Sequence, residues 1–314
     1  MISKSTVSRA LSDTESRISE ATKEKVRECA KRHGFKPNIV AKALARKKTF
    51  NIAVVVPFEA TSPQVLFFHE CLSGIITKAS NFSYSVLVCM TSRNNIGILE
   101  DAVENRKVDS VILTQPRHDD DSLRLLKRSG LPFVVIGSGS EKKAVYVDSR
   151  MKENCSEFTK LCLKNLAKGA SVLFVCGSLD VEANNNRLSG FLSGMEDSGI
   201  DSLQYAVCTD TSDIAGEISL KSWSLVLCSD DVVCLQVLEI LHEKQIAVGT
   251  SVKVASFHDS VLLESHLPAI SALKVDAFSL GEKSAELALS LISGRKCENI
   301  NYVDCSFQMR TSTE

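Results

Sequence analysis

Ile52-Ala53-Val54-Val55-Val56 is a short apolar run, rich in β-branched residues and without polar alternation. A strand of that composition is buried on both faces, as in a parallel sheet covered by helices. Tyr84-Ser85-Val86-Leu87-Val88-Cys89, Ser110-Val111-Ile112-Leu113-Thr114, Pro132-Phe133-Val134-Val135-Ile136 and Ser171-Val172-Leu173-Phe174-Val175-Cys176 read the same way. Amphipathic stretches near 64–80, 94–106, 119–129, 151–168 and 183–198 predict helices between them, which gives a βαβ rhythm. Leu203 to Cys208, Ser224 to Cys228 and Val252 to Phe257 extend the strand series, with further helices near 230–244 and 276–293. The expectation is an α/β protein with two lobes of similar size and a ligand site in the cleft between them.

Charge is distributed unevenly. The whole chain has 37 Lys+Arg against 38 Asp+Glu. Residues 1–48 hold 13 basic and 5 acidic residues, a surplus of eight, and the remaining 24 basic and 33 acidic residues leave the rest at −9. A basic head on an acidic body suits binding of phosphates by one module, since counterion release supplies most non-specific affinity for DNA. At 314 residues and 44% hydrophobic content, the chain can bury a large core in two or three compact units. No run approaches a membrane span and no secretory leader is evident, so the expected location is cytoplasmic, with no membrane partner. The 11 Cys residues fall within apolar runs such as those around Cys89, Cys176 and Cys228, without CxxC spacing. They read as small buried hydrophobes, with neither a zinc site nor a disulfide framework.

Within the basic head, Lys4-Ser5-Thr6-Val7-Ser8-Arg9-Ala10-Leu11 and Pro37-Asn38-Ile39-Val40-Ala41-Lys42-Ala43-Leu44-Ala45 read as two halves of a DNA-binding unit. With these motifs, Lys25-Val26 and Phe35-Lys36-Pro37-Asn38, the chain resembles LacI/GalR-family transcriptional repressors over nearly its whole length. The resemblance implies a partial helix-turn-helix whose first helix is missing at the N-terminus, a hinge helix, and a two-lobed periplasmic-binding-protein-like core with parallel sheets. The implied division is 1–48 for the head, 49–149 plus about 272–300 for the first core lobe, and 150–271 plus about 301–314 for the second.

The same resemblance places Lys4, Ser5 and Arg9 at base edges or the groove and Thr6 and Ser8 at phosphates. Asn38 and Ala41 belong to the hinge, where Leu44 is the residue that wedges between central base pairs and bends the duplex. Val7, Ala10 and Leu11 form the opposite stripe and are expected to lack their usual partner helix, leaving the head poorly folded or placing the true start upstream.

For the effector, the resemblance nominates Phe68 of the Phe67-Phe68 pair, Arg187, Ser229 and His258. His258 stands where an acid is usual, and Asp259 is the candidate substitute. Arg187 offers a planar fork of donors to hydroxyl, carboxylate or carbonyl oxygens. Trp223 reads as packing. Gly137-Ser138-Gly139-Ser140 reads as a plain loop, and Asp119-Asp120-Asp121 as a charged helix start. No His-x-x-x-His pair, Gly-x-Ser-x-Gly or phosphate loop nominates an enzyme, a cofactor or a metal. The partners expected are double-stranded operator DNA, a small-molecule effector such as a sugar or nucleoside, and a second copy in a homodimer. A cytoplasmic small-molecule binder that has lost DNA binding is the alternative.

Overall fold

A computed structural model describes residues 3, 6–7, 10, 18–35, 48–57, 65–139, 141–164, 166–167, 169–199 and 204–314. The chain divides into two compact units, Met1–Thr49 and Phe50–Glu314.

In the first unit, Ser3 opens a helical turn by accepting the Thr6 N–H on its Oγ at 3.1 Å, the usual role of a Ser N-cap. The Thr6 hydroxyl lies 2.8 Å from the same oxygen. Val7 is half-buried and Ala10 wholly buried, so the stripe expected to be bare is covered at Ala10. Helix α1 spans Glu20–Arg32, with Glu20 in its first turn and Lys31 and Arg32 in its last, both favourable to the helix dipole. Val26 is its buried residue. Lys4, Ser5, Ser8, Arg9, Leu11, Asn38, Ala41 and Leu44 lie outside the described residues.

The second unit contains two six-stranded sheets. Strands β1 (Asn51–Pro57), β2 (Ser85–Thr91), β3 (Ser110–Leu113), β4 (Phe133–Ile136), β5 (Val145–Asp148) and β11 (Ile300–Tyr302) form the first, in the order β11-β5-β4-β3-β1-β2 and all parallel. Strands β6 (Val172–Val175), β7 (Tyr205–Cys208), β8 (Leu225–Cys228), β9 (Lys253–Ser256), β10 (Ser271–Val275) and β12 (Cys305–Gln308) form the second, in the order β12-β10-β9-β8-β6-β7. Only β12 runs antiparallel to its neighbour. The opening stretch behaves as its composition demands. Ile52, Val54 and Val56 enter the core on one face of the first sheet, while Ala53 and Val55 enter the core on the other.

Helices cover both faces. The first lobe carries α2 (Val65–Ser80), α3 (Gly97–Glu104) and α4 (Asp121–Ser129), and the second carries α5 (Met151–Leu163), α6 (Glu182–Asp197), α7 (Ile214–Leu220), α8 (Asp231–Glu243) and the short α9 (Val261–Glu264). Helix α10 (Ala277–Ile292) returns to the first lobe and packs on α2. The sequence reading gives 272–300 to the first lobe. In the structure, 272–275 run in β10 of the second sheet and 301–302 in β11 of the first, so the chain crosses at Asp276 and at Val303-Asp304. Asp120 caps α4 by accepting the Ser122 and Leu123 N–H groups, which is the helix-start role read for the Asp triplet. Trp223 is buried, and its Nε1 donates to the Glu217 carbonyl at 2.9 Å.

The α2–α10 contact depends on two glycines. A Cβ on Gly74 would meet the Phe278 carbonyl oxygen, and one on Gly281 the Cys71 carbonyl oxygen. Helix backbones this close have no room for a methyl group, so Gly281→Ala is expected to cost about 1–3 kcal/mol through forced separation of the pair. A urea titration checks this, and an unchanged midpoint would show that the helices can slide apart freely.

Candidate functional site: a cavity between the two lobes

Parallel strands deliver their carboxyl ends to one edge of a sheet, and ligands of open α/β folds gather there. Pro57 closes β1, Thr114 follows β3, Ser138 follows β4, Asp148 ends β5, Ser178 follows β6, Asp230 follows β8 and His258 follows β9. All seven line one cavity of about 370 Å³. Its walls are apolar at Phe67, Phe68, Ile136, Met151, Val181 and Val275, and polar at Asp148, Asn186, Arg187, Asp230, Asp231 and His258.

Contacts from one lobe to the other close the cleft around this space. The His118 N–H donates to the Asp180 carbonyl at 2.9 Å, and the Glu182 N–H to the Pro116 carbonyl at 3.2 Å. Arg117 and Val181 form a β-bridge between these two contacts. The Asn186 side-chain amide donates to Ser138 Oγ at 2.7 Å. Phe67, on α2, meets the His258 ring edge-on at 5.4 Å and 81°. Arg93 lies 3.3 Å from Asp180 across the same cleft, so separating the lobes breaks backbone pairing, a side-chain hydrogen bond, an ion pair and an aromatic contact.

Charge inside the cavity is partly neutralised. Arg187 lies 3.6 Å from Asp230 and donates from Nη1 to Asn184 Oδ1 at 2.9 Å. Its Nε is buried and has no hydrogen-bond partner. Asp230 accepts the Val233 N–H at 3.0 Å, so it caps α8 while facing the guanidinium. The neighbouring Asp231 is buried, and burial together with Asp230 lifts its carboxyl to about 6. Burial also raises Asp148 above its ordinary range. His258 is pushed down to about 4, by burial first and by the Arg187 charge second, so its imidazole is neutral at pH 7.

These two shifted groups have opposite linkage. His258 binds its proton more weakly in the folded state than its ordinary value of 6.5 allows, so its contribution to stability is lost as pH falls from 6.5 towards 4. Asp231 binds its proton more tightly than its ordinary 3.8, so stability is gained as pH falls from 6 towards 3.8. The two nearly cancel. His258→Gln removes one side of the balance, and the variant is expected to gain roughly 2–3 kcal/mol on the parent between pH 7 and pH 4. Parallel unfolding profiles for the two proteins across that range would contradict the assignment.

Of the residues nominated from sequence for the effector, Phe68, Arg187 and His258 line the cavity. Ser229 does not. It is wholly buried behind the wall, donating its hydroxyl to Asp230 Oδ2 at 3.0 Å and accepting the Gly177 N–H at 3.3 Å, so it orients Asp230. Asp259 does not line it either. Both its carboxylate oxygens accept from Arg310, at 2.7 and 2.8 Å, because the turn after β9 aims His258 into the cleft and Asp259 away from it. Asp148, Asp231, Asn186 and Ser138 were not nominated. Their signal is position, directly after strands or on the helix that follows one, and Ser138 belongs to the loop read as plain.

Three family models match the chain: bacterial regulatory proteins of the lacI family over residues 2–38, periplasmic binding proteins and sugar binding domain of the LacI family over 49–225, and a periplasmic binding protein-like domain over 166–313. The chain belongs to the LacI family. Among its curated relatives, this LacI-family chain is 27% identical to the HTH-type transcriptional regulator MalR of Staphylococcus xylosus, across 95% of the chain and 90% of that protein. It is 23% identical to catabolite control protein A of Staphylococcus epidermidis, across 96% and 92%. Among solved structures, the lac repressor dimer bound to operator and an anti-inducer superposes with a TM-score of 0.80 at 19% identity, over 98% of this chain and 94% of that one. The transcriptional regulator CelR in complex with cellobiose superposes with a TM-score of 0.74 at 22% identity, over 99% and 96%. As a LacI-family regulator the chain has its expected fold, an N-terminal DNA-binding region and a periplasmic-binding-protein-like core. No described helix is long and apolar enough to cross a membrane.

Proposed function

We propose that this LacI-family chain is a ligand-responsive repressor that binds a pseudo-palindromic operator as a homodimer and takes a small-molecule effector, a sugar or nucleoside, in the inter-lobe cavity. The observation that carries the reading is a cavity walled by groups from both lobes. A ligand touching Asp148 and Phe68 on one side and Arg187 and His258 on the other has different affinity for open and closed lobes. Only such a difference can shift operator binding.

Relatives support each part. MalR is named a helix-turn-helix regulator, CelR is seen with cellobiose, and the lac repressor is seen as a dimer on its operator. Dimerisation is further supported by β2, an edge strand with Leu87, Val88 and Met90 exposed and Ile98 of α3 exposed as well, since an apolar sheet edge is ordinarily covered. In the head, Lys4, Ser5, Thr6, Ser8 and Arg9 are assigned to the recognition helix, and Asn38, Ala41 and Leu44 to the hinge.

Fluorescence anisotropy with duplexes from the region flanking the chain's own gene tests the reading. The full chain is expected to select one near-palindromic duplex and to change its affinity at least tenfold when sugars or nucleosides that raise its melting temperature are added. Ligand binding without any selected duplex would favour a sensor that no longer binds DNA.

A further inference from the structure

The charges lining the cavity do not balance. Among the described lining residues, Asp148, Glu182, Asp230 and Asp231 are set against two cationic side chains, Arg117 and Arg187. Arg187 is taken up by Asp230 at 3.6 Å. Asp231 is only 3% exposed. Among the described residues no Lys or Arg nitrogen lies within ion-pair distance of either Asp148 or Asp231. Buried carboxylates without a cation are costly, and such charges ordinarily occur paired.

An independent observation comes from His258. It is 8% exposed, lines the same cavity, and has no hydrogen bond to either ring nitrogen among the described residues. A neutral imidazole presents one acceptor nitrogen, whereas an imidazolium presents donors only. The cavity wall is thus rich in acceptors, short of positive charge, and backed by apolar surface.

We infer that the effector carries a primary amine, held as an ammonium against the acidic wall to which Asp148 and Asp231 contribute, and that its class is the amino sugars or similarly polyhydroxylated amines. This rests on the effector role proposed above for the cavity. Hydroxyl groups satisfy the acceptors of the wall equally well, but they leave its negative charge uncompensated. An ammonium does both, and the Arg187 Nε, buried and unpaired, remains to donate to a hydroxyl or ring oxygen of the same molecule. The raised carboxyl of Asp231 supports the assignment, since a group so placed gains from any cation that enters.

Matched pairs that differ only in the amine decide the matter: D-glucosamine against D-glucose, and the β-1,4-linked glucosamine disaccharide against cellobiose. Each is titrated into the full chain at pH 7.5 by calorimetry, with melting temperature as a second readout. In at least one pair the amine is expected to bind roughly tenfold tighter or better. Asp231→Asn is expected to shrink that preference to about twofold or less while the variant melts no lower than the parent, because the substitution removes a buried charge. Asp148→Asn, in the other lobe, serves as a second variant and is expected to weaken the same preference.

Equal or tighter binding of the neutral sugars, a preference that survives both Asn variants, or silence of both pairs would overturn the inference. Operator binding measured on the same samples separates it from the regulatory reading. A chain released from DNA by a neutral sugar or a nucleoside loses the amine assignment and keeps its function. A chain that selects no operator but prefers the amine loses the function and keeps the assignment.

Discussion

Arg310→Ala is expected to lower the unfolding free energy of the core by about 3–5 kcal/mol, because it strands a buried carboxylate. The Asp259 side chain is 6% exposed and that of Arg310 15%. The guanidinium meets both carboxylate oxygens and also donates to the Ile270 carbonyl at 2.7 Å. Truncation leaves a charge and a carbonyl without partners in a site largely shielded from water. The segment after β12 depends on the same anchor. Ser312 Oγ donates to the Val254 carbonyl at 2.6 Å, and the Ser271 N–H donates back to Ser312 Oγ at 2.8 Å, so residues 310–313 are sewn against β9 and β10.

Removing both partners should behave differently. In Asp259→Leu with Arg310→Met no charge is left buried, and most of the stability is expected to return. Urea unfolding of the two single variants and the double variant measures this. A single-variant cost below about 1 kcal/mol would mean that Asp259 reaches solvent when its partner is gone.

What could be read in the sequence follows the range of the interactions involved. Ile52 to Val56 needs only its own composition to declare a strand buried on both faces, and the helices that follow are amphipathic within a few turns. The alternation of strands and helices therefore yields the two parallel sheets. Strands β5, β10, β11 and β12 fall outside the sequence reading; β10, β11 and β12 owe their places to a chain that crosses between the lobes, which local composition does not encode. Cys305-Ser306-Phe307-Gln308 carries no pattern of its own, and its pairing with β10 is settled by residues about thirty positions away.

The site divides along the same line. Phe68, Arg187 and His258 reach the cavity, where the family resemblance puts them. Asp259 does not, because the choice between two adjacent side chains depends on where Arg310 waits, and Arg310 is 51 residues further on. Ser229 has the right position in the chain and the wrong depth, one layer behind the wall. Asp231 carries no signal of its own in the sequence, since an acid in the first turn of a helix has an ordinary explanation in the helix dipole. Only burial beside the cavity distinguishes it from such a residue.

Operator affinity is expected to fall about a thousandfold or more when salt rises from 50 to 200 mM, although the whole chain carries a net charge of only −1. Whole-chain charge would suggest little attraction to DNA. The surplus of eight positive charges in residues 1–48, against −9 in the remainder, concentrates the phosphate contacts in one module. A dimer doubles that number at the operator. Each phosphate contact releases about one counterion, so the slope of log affinity against log salt counts the basic residues engaged. Lys47→Gln, next to the proposed hinge, is expected to weaken binding to all sequences alike and to reduce the slope by about one per protomer. Arg9→Ala is expected to relax the preference among operator sequences, because a base-edge contact specifies while a phosphate contact positions. Binding that is flat in salt, or two variants with the same effect on slope and selectivity, would remove the distinction between the head's recognition and phosphate-binding residues and with it the case for a repressor.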